Sequence, residues 1–400
     1  MNPLQVALLT PVFWPVANQM LASVRELADA WRACGAEVTI FTERLEPDWA
    51  SRIGYREMQV VRLERPAARP WSRGRFGKVL VKALADFPAD PPRNTNRWDA
   101  VVICAWQEAL LALDGASERL TDRLYFWTDR PLLQSEQRAP QVRVLQAALQ
   151  QCSAILSSHP QARRLLEPFS EGLPEVCFLP EVGAGEDRVS AAEEDRERAR
   201  KSLADVHPLL NFERNQLVGL CAAEMSGDSG WFDLLTAWRH LRREEPRAQL
   251  VVVGDGPQAR AIWGRIYDWH LQGNVVMPGC FDDLAELLQA ADFYVHPLRS
   301  ELTCPLLSRA MVAGQACLIS KSNPLASSLV SREETLLFTP GNVSELTGAL
   351  KQISGDPTLR QKLGADGARA FTRVANREHQ EQLLRNLIGA TPRDLSGVPR

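Results

Sequence analysis

Short apolar runs alternate with longer amphipathic segments along most of the chain. Residues 5–9 and 37–41 are apolar runs of strand length, and the segment between them carries apolar residues at helical spacing. The alternation continues with strand-like runs at 58–63, 99–104, 124–127, 154–156 and 176–179. Strands that alternate with helices favour a parallel sheet with helices on both faces. The pattern therefore predicts an α/β domain with a doubly wound sheet.

A second series of the same kind begins near residue 217. Its predicted strands are 217–222, 248–253, 274–277, 292–296 and 316–320. Before it, the alternation stops, and residues 193–200 form a mixed run of acidic and basic side chains that is typical of a solvated helix. We predict a Rossmann-like domain over 1–182, a charged linker over 183–215 and a second Rossmann-like domain over 216–375. A final predicted helix, 376–390, packs back onto the first domain.

Composition narrows the class of protein. The 400 residues suit two domains, and a net charge of −3 gives no reason to expect nucleic acid as a partner. The 8 cysteines lie singly, which indicates free thiols in a reducing cytoplasm. The 6 histidines are scattered without ligand spacing, so we expect no metal site. We also expect a first β-strand rather than a signal peptide at the N-terminus, and no membrane-spanning helix.

The most informative motifs follow the predicted strands of the second domain. Gly254-Asp255-Gly256 is a turn after an apolar strand, and alone it is only a weak signal. Further along lie Phe281-Asp282-Asp283-Leu284, Ala291-Asp292, His296-Pro297, Ser300-Glu301 and Ala310-Met311-Val312-Ala313-Gly314, in that order. Taken together, these motifs resemble those of the donor-binding domain of family-four retaining glycosyltransferases with the GT-B fold. The resemblance is strongest from about 217 to 350 and is collinear but weaker over 5–180.

The resemblance implies a fold and a reaction. Two Rossmann-like, doubly wound domains would face a central cleft, with a nucleotide-diphosphate sugar bound by the C-terminal domain and an acceptor by the N-terminal one. The sugar would be transferred with retained anomeric configuration, and neither a metal nor a cofactor would be needed. The implied partners are the nucleotide sugar, a glycan or lipid-linked acceptor, and a partner glycosyltransferase.

The resemblance also assigns residues to the site. Glu301 and Asp129 would be catalytic, with Glu301 holding the donor sugar and Asp129 facing the acceptor. The donor side would comprise Gly254, Asp255, Gly256, Thr303, Cys304, Pro305, Leu306, Arg309, Glu224 and Ser229. The acceptor side would comprise Asn18, Gln19, Trp14, Trp106 and Thr128. Helix N-terminal amides near 303–306 would face the anionic diphosphate.

Several of these positions depart from the family's pattern. The family's second glutamate, which accepts hydrogen bonds from the ribose hydroxyls, corresponds to Arg309, which can only donate. The arginine and lysine that neutralise the diphosphate correspond to Glu224 and Ser229. The glycines after Glu301 are replaced by Leu302 and Cys304, those of the first βα loop by Asn18 and Gln19, and a histidine before Asp129 by Thr128.

Two hypotheses account for the exchanged charges. In one, Arg309 supplies the cation that Glu224 no longer provides, so that the site is re-tuned but still binds a nucleotide. In the other, Glu224 and Arg309 pair with each other and fill the old nucleotide site. Both hypotheses are compatible with the residue types. The distance between the side chains of Glu224 and Arg309 distinguishes them.

A basic and aromatic stretch lies in the predicted acceptor domain. It comprises Arg69, Trp71, Arg73, Arg75, Lys78 and Lys82. A solvated loop is one interpretation, and contact with an anionic membrane surface or a lipid-phosphate acceptor is the other. The second interpretation would place a cytoplasmic protein peripherally at the inner membrane face.

The residues therefore favour a glycosyltransferase that acts on a surface-glycan or lipid-linked acceptor. The alternative is a non-catalytic pseudo-glycosyltransferase that serves as a binding or partner subunit, because several motif residues have changed together. A nucleotide-sugar epimerase fits less well, since the spacing from Glu301 to Gly314 matches the transferases better.

Overall fold

The chain forms two compact units. A computed structural model describes residues 3–16, 19–65, 73–87, 98–114, 116–128, 139–159, 166, 169, 172–179, 190, 192–213, 215–227, 230–281, 283–299, 305–375 and 377–389. The first unit comprises Met1–Val16, Val24–Pro180 and Arg377–Arg400, and the second comprises Ala17–Ser23 and Glu181–Asn376. Each unit has its own sheet.

The first sheet has eight strands in the order β3-β4-β2-β1-β5-β6-β7-β8. They are β1 (Leu4–Leu9), β2 (Ala36–Glu43), β3 (Arg52–Tyr55), β4 (Met58–Leu63), β5 (Ala100–Cys104), β6 (Leu124–Trp127), β7 (Ala154–Ser157) and β8 (Val176–Phe178). All pairs are parallel except β3 with β4. The chain leaves β1 towards one edge and returns beside it as β5, so the sheet is doubly wound, as predicted.

Helices cover this sheet and seal its core. They are α1 (Gln19–Ala33), α2 (Arg73–Ala85), α3 (Gln107–Leu113), α4 (Ser117–Leu120) and α5 (Ala139–Gln150). Gly35 lies two residues after the end of helix α1, and its φ of 86° suits a residue without a side chain. The predicted helix at 162–166 lies almost entirely outside the described residues.

The second sheet has six parallel strands in the order β11-β10-β9-β12-β13-β14. They are β9 (Val218–Ala222), β10 (Gln249–Val253), β11 (Val275–Gly279), β12 (Phe293–His296), β13 (Cys317–Ser320) and β14 (Leu336–Phe338). Successive residues of β9 and β10 enter different cores. Leu220 and Val251 pack on one face, whereas Cys221 and Val252 pack on the other. Both faces are buried, which explains the continuous apolar runs.

The helices of the second half of the chain follow the predicted order. They are α6 (Glu193–Val206), α7 (Trp231–Leu241), α8 (Ala259–Asp268), α9 (Ala285–Ala290), α10 (Pro305–Val312), α11 (Val343–Gly355), α12 (Pro357–Val374) and α13 (Arg377–Gly389). Asparagine and aspartate cap two of them: Asn342 accepts from the Glu345 amide at 3.1 Å, and Asp356 accepts from the Leu359 amide at 2.9 Å.

The charged segment predicted as a linker is instead part of the second unit. Helix α6 buries Ala199, Arg200 and Leu203 against that unit's core. The carboxylate of Asp292 binds Arg196 at 2.8 Å and Arg200 at 3.3 Å, so the helix is held by buried charge as well as by apolar packing. A solvated helix was expected because the run is charged all round, but one of its arginines is buried.

The last helix packs on the first unit, in agreement with the sequence pattern. The phenol of Tyr125 on β6 donates to the Leu387 carbonyl of α13 at 2.8 Å. The Cys34 thiol donates to the Glu381 carbonyl at 3.5 Å. Burial raises the pKa of Tyr125 above its usual value, so this phenol remains a donor at neutral pH.

Candidate functional site

The second sheet reverses its strand order between β9 and β12. The two strands are neighbours, and the chain leaves them towards opposite edges. Because the strands are parallel, their carboxyl ends open at one edge, where ligands bind in doubly wound folds. Glu224 lies just after β9, and the stretch that contains Glu301 follows β12. The topology therefore brings the chain segments of the predicted donor site to one edge.

The turn Gly254-Asp255-Gly256 is built for backbone packing. Gly254 has φ 141°, and a Cβ there would lie 2.1 Å from the Ala223 carbonyl oxygen. The Met225 amide donates to the Asp255 carbonyl at 2.9 Å, which joins the turn to the loop after β9. These glycines are thus required by the approach of two loops. Contact of the turn with a nucleotide stays a prediction.

Arg309 pairs with Asp283 and not with Glu224, which is the partner that the second of the two hypotheses predicted. It lies on α10, its side chain is 5% exposed, and its Nη2 is 3.0 Å from Asp283 Oδ1. Among the described residues no ion pair joins Arg309 to Glu224, which is half-buried. The hypothesis of a Glu224–Arg309 bridge is therefore wrong. Sequence reasoning missed Asp283 as the partner, although it lies in one of the motifs.

Pro305 and Leu306 open α10. Pro305 is buried at the first helical position, where its missing N–H costs no hydrogen bond. Leu306 packs against the core of the second unit. The other predicted donor-side residues, Ser229, Glu301, Thr303 and Cys304, lie outside the described residues, and so do Asp129 and Asn18 of the acceptor side.

His296 ends β12 and is fully buried. Neither ring nitrogen has a hydrogen-bond partner among the residues that the structure describes. Burial lowers its pKa to about 3, so the ring is neutral at physiological pH. A neutral imidazole cannot supply positive charge to a diphosphate, and a buried ring without hydrogen bonds to described residues destabilises the core.

Trp14 lies in the loop after β1, beside the switch point of the first sheet. Its carbonyl accepts from Arg62 Nη2 at 3.0 Å, and the Arg62 guanidinium lies 5.7 Å from the Trp14 ring centroid. Arg62 is buried, also donates to the Ala50 carbonyl, and lies 5.2 Å from the Trp49 ring. Burial and then the charge of Arg44 lower the pKa of Arg62. Sequence reasoning missed these contacts of Arg62, because the residue lies within a predicted strand and its side-chain partners come from other segments.

The remaining acceptor-side residues are less available to a ligand than predicted. Trp106 precedes α3, is 5% exposed, and packs its ring 5.5 Å from that of Phe76. A sugar could not stack on that ring in this conformation. Thr128 is fully buried after β6. Gln19 begins α1, and its side chain lies outside the described part of the chain.

Two features are absent from the residues that the structure describes. No group of three or more His, Cys, Asp or Glu side chains is arranged to hold a metal ion. None of the described helices combines the length and apolar character that crossing a bilayer requires.

Sequence comparison identifies the domain that contains the β9/β12 switch point. Residues 208–370 match the family model described as glycosyl transferases group 1. An alpha-monoglucosyldiacylglycerol synthase from Streptococcus pneumoniae is 23% identical over 195 residues. A 2-deoxystreptamine glucosyltransferase from Streptomyces kanamyceticus is 25% identical over 173 residues. These alignments cover 47% and 43% of this chain, and 44% and 43% of the relatives, so the chain matches less than half of each.

Solved structures match over nearly the whole chain. A sucrose-phosphate synthase from Thermosynechococcus elongatus has a TM-score of 0.76 at 19% identity, covering 96% of this chain and 99% of that one. Anabaena HepE, solved with UDP and glucose, has a TM-score of 0.73 at 14% identity, covering 97% and 100%. At such identities the likeness concerns the fold alone, and it supports the GT-B expectation. The match to the glycosyl transferases group 1 model is confined to residues 208–370, which is about two fifths of the chain, and over that range the chain is similar to this family.

Proposed function

We propose that this protein is a retaining glycosyltransferase that moves a sugar from a nucleotide-diphosphate donor to a surface-glycan or lipid-linked acceptor. The observation that carries the proposal is the family match over 208–370, which spans the switch point between β9 and β12. The acceptor hydroxyl would bond to the anomeric carbon on the face that the diphosphate leaves, and its proton would pass to the departing phosphate. No metal or cofactor enters the proposed reaction.

The proposed roles follow from chemistry at the carboxyl edge of the sheet. Glu301 would hold the donor sugar, and amides at the start of α10 would stabilise the charge that develops on the leaving diphosphate. Arg309 would offer the diphosphate less positive charge than the hypothesis of a re-tuned site required, because it is paired with Asp283. Asp129 would face the acceptor.

Nucleotide binding tests this proposal. In calorimetric titrations with uridine, guanosine, adenosine, cytidine and thymidine diphosphates, we expect at least one to bind. Replacing Glu224 by glutamine should tighten that binding about fivefold, because removing a like charge near the diphosphate is worth roughly 1 kcal/mol. The matched control is Glu333→Gln, an exposed glutamate of the same unit. If none of the five diphosphates binds, the transferase proposal is rejected.

A groove on the first unit supports a lipid-linked acceptor. It has a volume of about 1030 Å³ and runs between α2 and α3, lined among others by Lys78, Val81, Lys82, Leu111 and Ala112. Lys78 and Lys82 lie one turn apart on α2, and within the described part of the chain neither forms an ion pair. Arg65, Asp86 and Glu108 also line the groove, and Arg65 is paired with Glu108 at 2.8 Å, so the two lysines supply its unpaired positive charge. An apolar groove with lysines at its rim suits an amphiphile that carries negative charge, such as a phospholipid of the inner membrane face.

Vesicle sedimentation tests the membrane contact. We expect the protein to bind phosphatidylglycerol vesicles at low salt and phosphatidylcholine vesicles weakly. Lys78→Gln with Lys82→Gln should weaken binding at least about tenfold, since each lysine near an anionic surface contributes roughly 1 kcal/mol. The matched control is Lys201→Gln with Lys362→Gln, which removes the same charge from exposed lysines of the second unit. Equal losses in both double variants would mean that net charge alone acts, and the contact would be rejected.

The second candidate function is a non-catalytic binding subunit for a partner glycosyltransferase. The observation that favours it is the charge pattern: Glu224 replaces a phosphate-binding cation, and Arg309 is already paired. Release of nucleoside diphosphate from a panel of nucleotide sugars separates the two candidates. Tight binding without release, in the presence of membrane extract as acceptor source, would favour the subunit.

A further inference from the structure

Two exposed aromatic rings lie next to each other on helix α8. Trp263 is 48% exposed and Tyr267 is 64% exposed, and in the described part of the chain they are the only aromatic residues among the large exposed apolar side chains. Being four residues apart, they are neighbours on the helix surface. Ile262 and Ile266 anchor the same helix in the core of the second unit. Single exposed apolar residues are common on proteins, whereas adjacent ones mark contact with a ligand or partner.

The other aromatic rings beside α8 are covered by cations. The Arg265 guanidinium of this helix lies 4.8 Å from the centroid of the Trp269 ring and 5.2 Å from that of Phe232 on α7. Among the described residues, no ring or guanidinium packs on the face of Trp263 or Tyr267. The aromatic faces towards α7 are therefore occupied, and those of the exposed pair are open.

Polar and small residues complete this surface. Arg260 lies one turn before Gly264, and Asp268 lies one turn after it. Both charged side chains are exposed, and neither has an ion pair or a side-chain hydrogen bond to a described residue. A Cβ at Gly264 would meet no described atom within 4 Å, so packing does not explain a glycine in the middle of a helix. We call these three residues, with Trp263 and Tyr267, the α8 surface.

The α8 surface has the features of a binding site for a neutral sugar chain. Its aromatic faces are flat and apolar, and they match the C–H faces of pyranose rings. A guanidinium offers N–H donors and a carboxylate offers acceptors, whereas each sugar hydroxyl can do both. The opposite charges of Arg260 and Asp268 favour an uncharged ligand. From residue 260 to residue 268 the helix rises about 12 Å, which is longer than one sugar ring.

Other occupants fit this surface less well. The two rings can bury at most roughly 300–500 Å², below the roughly 800 Å² that each partner of a stable protein complex buries. An anionic membrane attracts clusters of lysine and arginine, but here one acidic residue balances the one basic residue. Helix α8 also begins three residues after Gly256, the end of the turn that was assigned to the donor.

We propose that the α8 surface binds a neutral glycan chain, with Trp263 and Tyr267 stacked on its sugar rings and Arg260 and Asp268 hydrogen-bonded to its hydroxyls. The choice of a glycan rests on the proposed function, which supplies such a chain as acceptor or product. Binding at this surface itself requires neither a nucleotide nor sugar transfer. A chain held here keeps its reacting end at a high effective concentration.

Affinity electrophoresis of the full chain tests the proposal, with soluble starch, dextran, β-1,3-glucan or galactomannan in the gel. We expect at least one to slow the protein, and Trp263→Ala with Tyr267→Ala to weaken that binding at least about tenfold, because two stacked rings are lost. The matched control, Leu209→Ala with Val330→Ala, removes two exposed apolar side chains of the same unit and should bind as the parent does. No retardation by any of these polysaccharides, or equal losses in the two double variants, would overturn the proposal.

Single variants separate stacking from other causes. Trp263→Phe should keep most of the glycan binding, because an aromatic face remains, whereas Trp263→Leu should lose it. Gly264→Ala should raise the melting temperature and yet weaken glycan binding, since alanine favours a helix but its methyl group stands between the chain and the helix. If the double alanine variant instead shows a smaller oligomer in sedimentation velocity, the rings belong to a protein interface and the proposal is wrong.

This inference and the proposed function can fail separately. Retardation by a polysaccharide without binding of any nucleoside diphosphate would support the α8 surface and reject the transferase. Nucleotide binding without retardation would support the transferase and reject the α8 surface.

Discussion

Asp292→Ala is expected to lower the free energy of unfolding of the second unit by about 3–5 kcal/mol, because it leaves the buried positive charge of Arg200 without its carboxylate. The Asp292 side chain is 7% exposed, and its Oδ2 is 3.3 Å from Arg200, whose side chain is 9% exposed. The same oxygen accepts from the Val218 amide at 2.8 Å. Denaturant unfolding measures the change. Loss of the aspartate should also release α6, which would appear as faster amide exchange over 193–206.

The control for this prediction lies on the same helix. Asp195 pairs with Arg198 at 3.0 Å, but these side chains are 36% and 76% exposed. Asp195→Ala should therefore cost less than about 1 kcal/mol, as is usual for surface pairs. Equal effects of the two substitutions would show that burial of Arg200 does not determine the energetics.

His296→Leu is expected to remove an acid sensitivity of the folded protein. Burial lowers the pKa of His296 to about 3, below its ordinary value of 6.5. Between these two values the unfolded chain binds a proton that the folded chain does not bind. The free energy of unfolding is therefore highest above about pH 6.5 and declines as the pH falls towards 3. Between pH 7 and pH 5 the histidine accounts for a loss of about 2 kcal/mol. Unfolding curves at the two pH values measure it.

The leucine variant should lose less stability over that interval, by about the same 2 kcal/mol. At pH 7 its free energy of unfolding should equal or exceed that of the parent, since the imidazole, whose two nitrogens have no partner in the described part of the chain, is replaced by an apolar group. His240→Leu is the control: that histidine is exposed, and its removal should leave the acid dependence of the parent. Parallel pH dependence in His296→Leu and parent would contradict the prediction.

Most of the fold follows from periodicity. The parallel strands are buried on both faces, and the resulting apolar runs placed β4 and β6 at their observed bounds. The pattern did not reveal β3, which pairs antiparallel at the sheet edge. Its sequence, Arg-Ile-Gly-Tyr, has no apolar run because an edge strand is only partly covered. The short helices α3 and α4 were not predicted either, because they have too few turns to show a helical period.

The candidate site was less predictable than the fold. The sequence showed that Arg309 and Glu224 had exchanged charge, but residue types do not give distances, and Asp283 was an equally acceptable partner. Arg200 and Arg62 illustrate the same limit. One belongs to a charge run that looks solvated, and the other to a strand, yet both guanidinium groups are buried. Burial of a long cationic side chain depends on which carbonyls and rings tertiary packing brings near. The local sequence pattern does not contain that information.

The return of α13 to the first unit affects how the chain folds as it is synthesised. Domains generally fold as units while the chain emerges, the N-terminal one first. Here the first unit lacks its hydrogen bond from Tyr125 to Leu387 until residue 387 has left the ribosome. The core segment of the second unit, 181–376, emerges earlier and can close first. The N-terminal unit is therefore the last to be completed, and a chain that stops short of α13 should expose its incomplete surface to chaperones and proteases.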